Sequence, residues 1–225
     1  MSNLPEANGA AIAALPEAWA PLRSGFLEYV RGVEFKRILS DVGALQHQNR
    51  FQSIVLLSRA PGEGKTFFAA VLALGYALFL RRRVLILDTI AQTSTSALTL
   101  APVLSAAGGC GEIPGGGHVD VVTSREFDPG GQGPAVKEWG ADFAIGEYIE
   151  SIRGDYDLIL VDTCSLEASH SDTLDPIVVG RQTDTAILIT SPRTNRREHL
   201  RLLGEELRRR DVHLLGTIYN GGAQK

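Results

Sequence analysis

Residues 51–66 read Phe51-Gln52-Ser53-Ile54-Val55-Leu56-Leu57-Ser58-Arg59-Ala60-Pro61-Gly62-Glu63-Gly64-Lys65-Thr66. Ile54 to Leu57 is a short apolar run, partly β-branched and bounded by polar residues, and it predicts a buried parallel strand. The apolar run Phe67 to Leu80 predicts a helix directly after Thr66. Strand, glycine-rich loop, Gly-Lys-Thr and helix in that order make a phosphate-binding loop in its required context. Gly62 and Gly64 let backbone N–H groups face inward and cup phosphate oxygens. Lys65 is placed to reach β- and γ-phosphates, the Thr66 hydroxyl to ligate Mg²⁺, and the helix points its positive end at the anion. The expected nucleotide-binding set is Pro61, Gly62, Glu63, Gly64, Lys65, Thr66 and Phe67, with Asn220 from the far end of the chain. The general pattern has a further glycine where this chain has Arg59.

The rest of the chain supports an α/β reading. At 225 residues, 44% apolar and 21% charged, it suits one soluble globular domain with one good core. The net charge of −4 carries no nucleic-acid signal, and no nucleic-acid partner is expected. Lysine occurs only at Lys36, Lys65, Lys137 and Lys225, so most of the basic charge is arginine. Cys110 and Cys164 lack metal-ligand spacing and suggest no disulfide framework, which fits a cytoplasmic compartment. The N-terminus lacks a basic start and a long apolar core, so no secretory signal is expected. Phe67 to Leu80 is too short to cross a bilayer and reads as a buried helix.

Residues 1–22 are Ala- and Pro-rich without a clear period and are expected to be a flexible tail. The domain proper is then 23–225, with an N-terminal helical extension. From Ser24 to about Gln48, Phe26, Val30 and Val33, then Ile38, Val42 and Leu45, recur at helical spacing, with Gly32 a candidate divider. This stretch offers Glu34, Lys36 and Arg37 either to a partner or to solvent. Arg81-Arg82-Arg83 is expected to place positive charge at the C-terminus of the preceding helix. Val84 to Asp88 predicts a second strand, His118 to Val122 a third, Asp157 to Asp162 a fourth, Thr185 to Thr190 a fifth and His213 to Tyr219 a last one. Weak helical pattern lies in 93–107. Glycine-rich loops are expected over 108–117 and 123–134, an amphipathic helix over 136–152 and a short helix over 171–181. Asn195-Arg196-Arg197-Glu198 has capping-box spacing and opens a helix with Leu200, Leu203 and Leu207 inward. Strands alternating with helices imply a mainly parallel central sheet with helices on both faces.

Ligands in such sheets lie beyond the carboxyl ends of the strands. That places Asp88 and Asp162 near the phosphates. Asp162 ends an apolar strand and is the expected carboxylate holding Mg²⁺ directly or through water. Asp88 is a second Mg²⁺ ligand or the acceptor of a proton from the attacking group. The catalytic candidates are Lys65, Asp88 and Asp162, and the metal candidates Thr66, Asp88 and Asp162. Asn220 either meets an adenine edge or forms the turn before Gly221-Gly222. No Asn-Lys-x-Asp guanine signature occurs, which favours ATP. His118, His170, His199 and His213 show no pairing that suggests a metal site or a triad.

Ser58-x-x-Pro61-Gly62-Glu63-Gly64-Lys65-Thr66 resembles the Walker A motif of the bacterial tyrosine kinases, the BY-kinases, within the MinD/ParA group of P-loop ATPases. Val84 to Asp88 resembles their Walker A′ strand, Leu158 to Thr163 their Walker B, and Leu214 to Asn220 their closing strand. Asp175 falls where the family often has an Asp, and Glu34-x-x-Arg37 partly matches its helical oligomerisation motif. The resemblance runs from about Val33 to Asn220. It implies ATP and Mg²⁺ as cofactors and a role in exopolysaccharide or capsule synthesis or export. The implied partner is a membrane chain-length-determinant protein, a polysaccharide co-polymerase, which recruits the chain to the inner membrane. It also implies a homo-oligomer through the helix carrying Glu34 and Arg37.

The departures are specific. Walker A′ usually reads Asp-x-Asp and here is Asp88-Thr89-Ile90, which predicts slow chemistry. Ser40 replaces the second Arg of the oligomerisation motif, and Cys164-Ser165 replaces Pro-Pro after Walker B. The family's C-terminal tyrosine cluster is missing from a chain ending Gly221-Gly222-Ala223-Gln224-Lys225, and Tyr219 falls in a predicted core strand. The resemblance therefore implies either a tyrosine kinase or a degenerate ATP-binding regulator. The alternatives are a MinD/ParA-type positioning ATPase that dimerises with ATP, whose signature Lys corresponds to Ala60 here, and an assembly protein that uses nucleotide only as a switch.

Overall fold

The computed structural model describes residues 29, 32–90, 110–112, 117–123, 141–169, 173–192 and 196–221. The expected tail over 1–22, the weak helix over 93–107 and most of the loop over 123–134 lie outside them. The strands are β1 (Ser53–Leu57), β2 (Arg83–Asp88), β3 (Cys110–Glu112), β4 (His118–Thr123), β5 (Leu158–Asp162), β6 (Thr185–Thr190) and β7 (Leu214–Tyr219). The helices are α1 (Val33–Asn49), α2 (Lys65–Leu80), α3 (Ala141–Ile152), α4 (Pro176–Gln182) and α5 (Arg197–Arg209). One seven-stranded sheet runs in the order β3-β4-β2-β5-β1-β6-β7. Every pairing is parallel except β3 with β4.

The central strands are apolar on both faces because helices cover both. Ile54 and Leu56 of β1, Val84 and Ile86 of β2, and Leu158 and Leu160 of β5 join α1 and α2 in one core. The alternate residues Val55 and Leu57, Leu85 and Leu87, and Ile159 and Val161 join α3, α4 and α5 in the other. Helix α2 is buried over most of its length, beneath α1 and against the sheet. The contact is close at Gly75, where a Cβ would stand 2.5 Å from the Phe35 ring. Only glycine admits that ring.

Several expectations shift. Gly32 is the N-cap of α1, so it does mark a helix boundary. Val33 is not inward but 57% exposed, and Phe35, Leu39 and Val42 form the buried stripe. The arginine run does cap α2, though only its first residue serves as the cap. Arg81 caps that helix through its backbone in the left-handed region, Arg82 pairs with Asp157 at 2.9 Å, and Arg83 opens β2. The N-cap of α5 is Arg196, with no side-chain cap bond, and Asn195 lies outside the described residues. Tyr219 is not in the core. β7 is an edge strand, and Tyr219 is 62% exposed at its end. A three-residue strand, β3, sits inside the expected glycine-rich loop.

At the amino ends of the strands, Asp184 collects distant partners. Its carboxylate accepts from Gln52 N–H and Ser53 N–H at 2.8 Å each and takes both fork nitrogens of Arg153 at 2.8 Å. Burial alone would raise its pKa, but the Arg153 fork and the two backbone donors outweigh it and hold the carboxyl well below the usual range. A depressed folded-state pKa contributes stability that is present above the unfolded pKa of about 4 and lost as pH falls toward the folded value. Asp184→Asn should therefore cost about 2 kcal/mol at pH 7 and flatten the loss of stability below about pH 4. Urea unfolding from pH 3 to 7 measures both; parallel acid losses in the two proteins would refute the assignment.

Candidate nucleotide-binding site

β1 ends at Leu57, and residues 58–64 turn across the carboxyl edge of the sheet into α2. Gly62 and Gly64 have φ of 77° and 101°, the left-handed conformations the loop needs. A Cβ at Gly62 would meet nothing within 4 Å, so the loop leaves open space there. Helix α2 starts at Lys65 without a side-chain cap and with no acidic residue in its first turn. Its first N–H groups thus lack intrahelical partners and face the open loop.

The loop is held from behind. Glu63 is 1% exposed, and its carboxylate turns into the loop's own backbone and the neighbouring strand end. Oε2 accepts from Ala60 N–H at 2.9 Å and Oε1 from Ser191 N–H at 3.0 Å. Asn220 Nδ2 donates to Glu63 O at 2.9 Å, tying the end of β7 to the loop. This brace is a role for Asn220 beyond the adenine contact and the turn read from the sequence. A Cβ at Gly64 would stand 2.6 Å from the same Nδ2, so the brace also needs glycine there.

Arg59, in place of the usual glycine, does not require a left-handed backbone. Its side chain pairs with Glu167 at 2.9 Å and meets His199 Nδ1 at 2.9 Å. Backbone bonds from Leu166 N–H to Ser58 O and from Glu167 N–H to Arg59 O, 3.0 Å each, lay the turn after β5 along the start of the loop. The loop keeps its shape by cross-bracing where the common pattern uses a glycine.

Three strand ends bring the charged candidates together. Asp162 pairs in register with Leu56 of β1 on one side and Asp88 of β2 on the other. Asp88 is 2% exposed and Asp162 1%. Asp88 Oδ1 accepts from Ile90 N–H at 2.9 Å, while Thr89 donates through both N–H and Oγ1 to Asp162 O. Lys65 is also buried, and its Nζ donates to Ser58 Oγ at 2.6 Å. Burial lowers the Lys65 pKa, opposed first by Asp162. Burial pushes Asp162 up to about 7; the nearby Thr66 hydroxyl and Lys65 pull it down and Asp88 adds to the rise. Neither carboxylate oxygen of Asp162 has a hydrogen bond of good geometry.

Those orphaned oxygens test the fit of a divalent cation. A buried carboxylate with no well-formed hydrogen bond, beside a hydroxyl and a second carboxylate, is a hard-oxygen set of the kind Mg²⁺ takes. Among the described residues no cluster of three or more His, Cys, Asp or Glu forms a metal cage.

Some participants were not legible as such. Ser58 is fully buried and holds Lys65, and nothing in its local sequence marks that role. Ser165 is 3% exposed, and its Oγ has no partner among the described residues. Asp175 is the N-cap of α4, accepting from Ile177 and Val178 N–H. His118 lies 2.9 Å from Asp120 Oδ1, away from the phosphate loop at the amino end of β4.

Comparison with solved structures follows this geometry. The kinase domain of the Escherichia coli tyrosine kinase ETK aligns with a TM-score of 0.62 and 22% identity, over 85% of this chain and 75% of that one. The chain shares the fold of that kinase domain. The BceF tyrosine kinase domain aligns at 0.55 and 21% identity, over 78% of this chain and 71% of its own. The VpsO kinase domain aligns at 0.55 and 18%, over 85% and 97%. No family model matches the sequence, and no curated protein matches it. Among the described residues no helix is long and apolar enough to cross a membrane.

Proposed function

We propose that this chain binds ATP with Mg²⁺ and acts, in the manner of the BY-kinases, in bacterial exopolysaccharide or capsule synthesis or export. The observation that carries the reading is the meeting of the braced loop, the buried Lys65 and the register-paired Asp88 and Asp162 at one sheet edge. In this reading the loop N–H groups and Lys65 hold the phosphates, and Thr66, Asp162 and Asp88 hold the metal. Bound Mg²⁺ would neutralise charge on the phosphate oxygens. Asp88 is the group placed to take a proton from an attacking hydroxyl. Asn220 steadies the loop and lies where an adenine edge would be read.

Two products separate the forms of this reading. All five tyrosines are described, and only Tyr219 is exposed. A self-phosphorylating kinase should therefore place label on Tyr219. Exposed Glu34 and Arg37 of α1 are the proposed oligomer contacts, and a membrane chain-length-determinant protein is the proposed activator and inner-membrane anchor. Incubation with Mg²⁺ and γ-labelled ATP, with Lys65→Ala as control, tests the reading. Label on tyrosine in the wild type alone supports a kinase. Phosphate release without labelled protein supports an ATPase switch, and bound ATP with neither product supports a degenerate regulator. No ATP binding at all would overturn the proposal.

A further inference from the structure

The rim opposite the phosphate loop carries a cleft of about 500 Å³, where the chain enters β1, β2 and β5. That volume lies in the range of small-ligand sites, roughly 300–1,000 Å³. Three arginines line it from separate elements: Arg50 caps α1, Arg83 opens β2 and Arg153 follows α3. Arg153 is engaged by Asp184 and, at 2.7 Å, by Glu150. Arg50 and Arg83 have no carboxylate partner among the described residues.

The acids nearby do not cancel this charge. Asp157 is occupied on both oxygens, by Arg82 Nη1 at 2.9 Å and by Arg83 N–H at 2.8 Å. Asp155 is the one other acid among the described residues lining the cleft, and it is exposed. Arg50 and Arg83 thus bring two guanidinium groups to a cleft lining that holds one acid not tied to an arginine.

The frame around them is already fixed. Gln52 Nε2 donates to Arg153 O at 2.8 Å and to Tyr156 O. Tyr156 OH donates to Asp120 Oδ2 at 2.9 Å, and the Arg83 guanidinium stands 5.5 Å from the Tyr156 ring centre. Arg50 sits at φ 56° with its N–H donating to Gln46 O at 2.8 Å. A fixed frame loses little freedom on binding, and the guanidinium fork matches the paired oxygens of phosphates and carboxylates.

We propose that this cleft binds a small ligand carrying a phosphate or carboxylate oxyanion, gripped by Arg50 and Arg83. The site shares no residue with the phosphate loop, so it stands or falls separately from the nucleotide reading. The test is a titration of the ¹⁵N-labelled full chain with pyrophosphate and, separately, citrate, following the arginine Nε–H signals. The Arg50 and Arg83 signals should move along a saturating curve with Kd below about 1 mM. Arg50→Gln with Arg83→Gln should abolish that curve, and Lys65→Ala should leave it in place. Arg50→Gln alone, at an exposed helix end, should weaken it several-fold and serves should the double variant not fold. Saturation by pyrophosphate only identifies a phosphate ligand, by citrate only a carboxylate, and by both the shared oxyanion chemistry. Linear shifts up to about 10 mM with both probes, or a curve unchanged in the arginine variants, overturn the site.

Discussion

Lys65→Ala is expected to weaken Mg²⁺-dependent ATP binding by about a hundredfold or more, roughly 3 kcal/mol. The ammonium is buried, so its field is screened less than at a surface, and a charge-assisted bond to phosphate is among the stronger single contacts. Nζ donates to Ser58 Oγ, so Lys65 is confined near the loop. The variant also removes the cation that draws down the proton affinity of Asp162. Calorimetric titration with a non-hydrolysable ATP analogue reads the affinity. Thermal unfolding without nucleotide separates that loss from misfolding. Wild-type affinity in Lys65→Ala would remove the loop from the nucleotide site.

Asp162→Asn should have the second largest effect, with opposite signs in two measurements. Nucleotide affinity should lose most of its Mg²⁺ dependence, because a neutral amide replaces a buried anionic ligand. Stability without nucleotide should rise by about 1–3 kcal/mol at pH 8. The sign follows from the folded carboxyl, raised by burial to about 7 from an ordinary 3.8. Below about pH 4 both states hold the proton and no penalty arises. Between about 4 and 7 the unfolded chain ionises first, so folding loses stability, and above about 7 the penalty is constant. The variant lacks this titration and should lose less stability across that window. Stability bought by deleting a functional carboxylate is the usual trade at a site built for a ligand. Unchanged Mg²⁺ dependence, or a less stable protein at pH 8, would count against the metal assignment.

Much of the site was legible because it is local. Gly62, Gly64, Lys65 and Thr66 lie within five positions between an apolar strand and an apolar helix, and the chemistry of the loop depends on that short order. Asp88 and Asp162 each end an apolar run, and parallel strands deliver such residues to one edge. Their register pairing confirms that placement. The braces were not legible, because their partners are far apart in the chain. Glu63 meets Ser191, Gln52 meets Asp184, and Asn220 meets Glu63, each across more than a hundred positions.

Periodicity also misjudged residues whose exposure depends on what lies beside them. Tyr219 sits in an apolar strand pattern but on an edge, where no further strand among the described residues covers it. Arg82 and Arg83 follow a helix but serve the next strand, because Asp157 waits beside them. By itself the sequence determined the α/β class, the phosphate loop and the two strand-end carboxylates, since these rest on spacing along the chain. Only the tertiary structure decided how the loop is braced, that Asp162 is buried without a hydrogen bond of good geometry, and that a cationic cleft lies on the opposite rim. Those features arise from burial and from contacts between distant segments, which exist only once the sheet has brought its strands together.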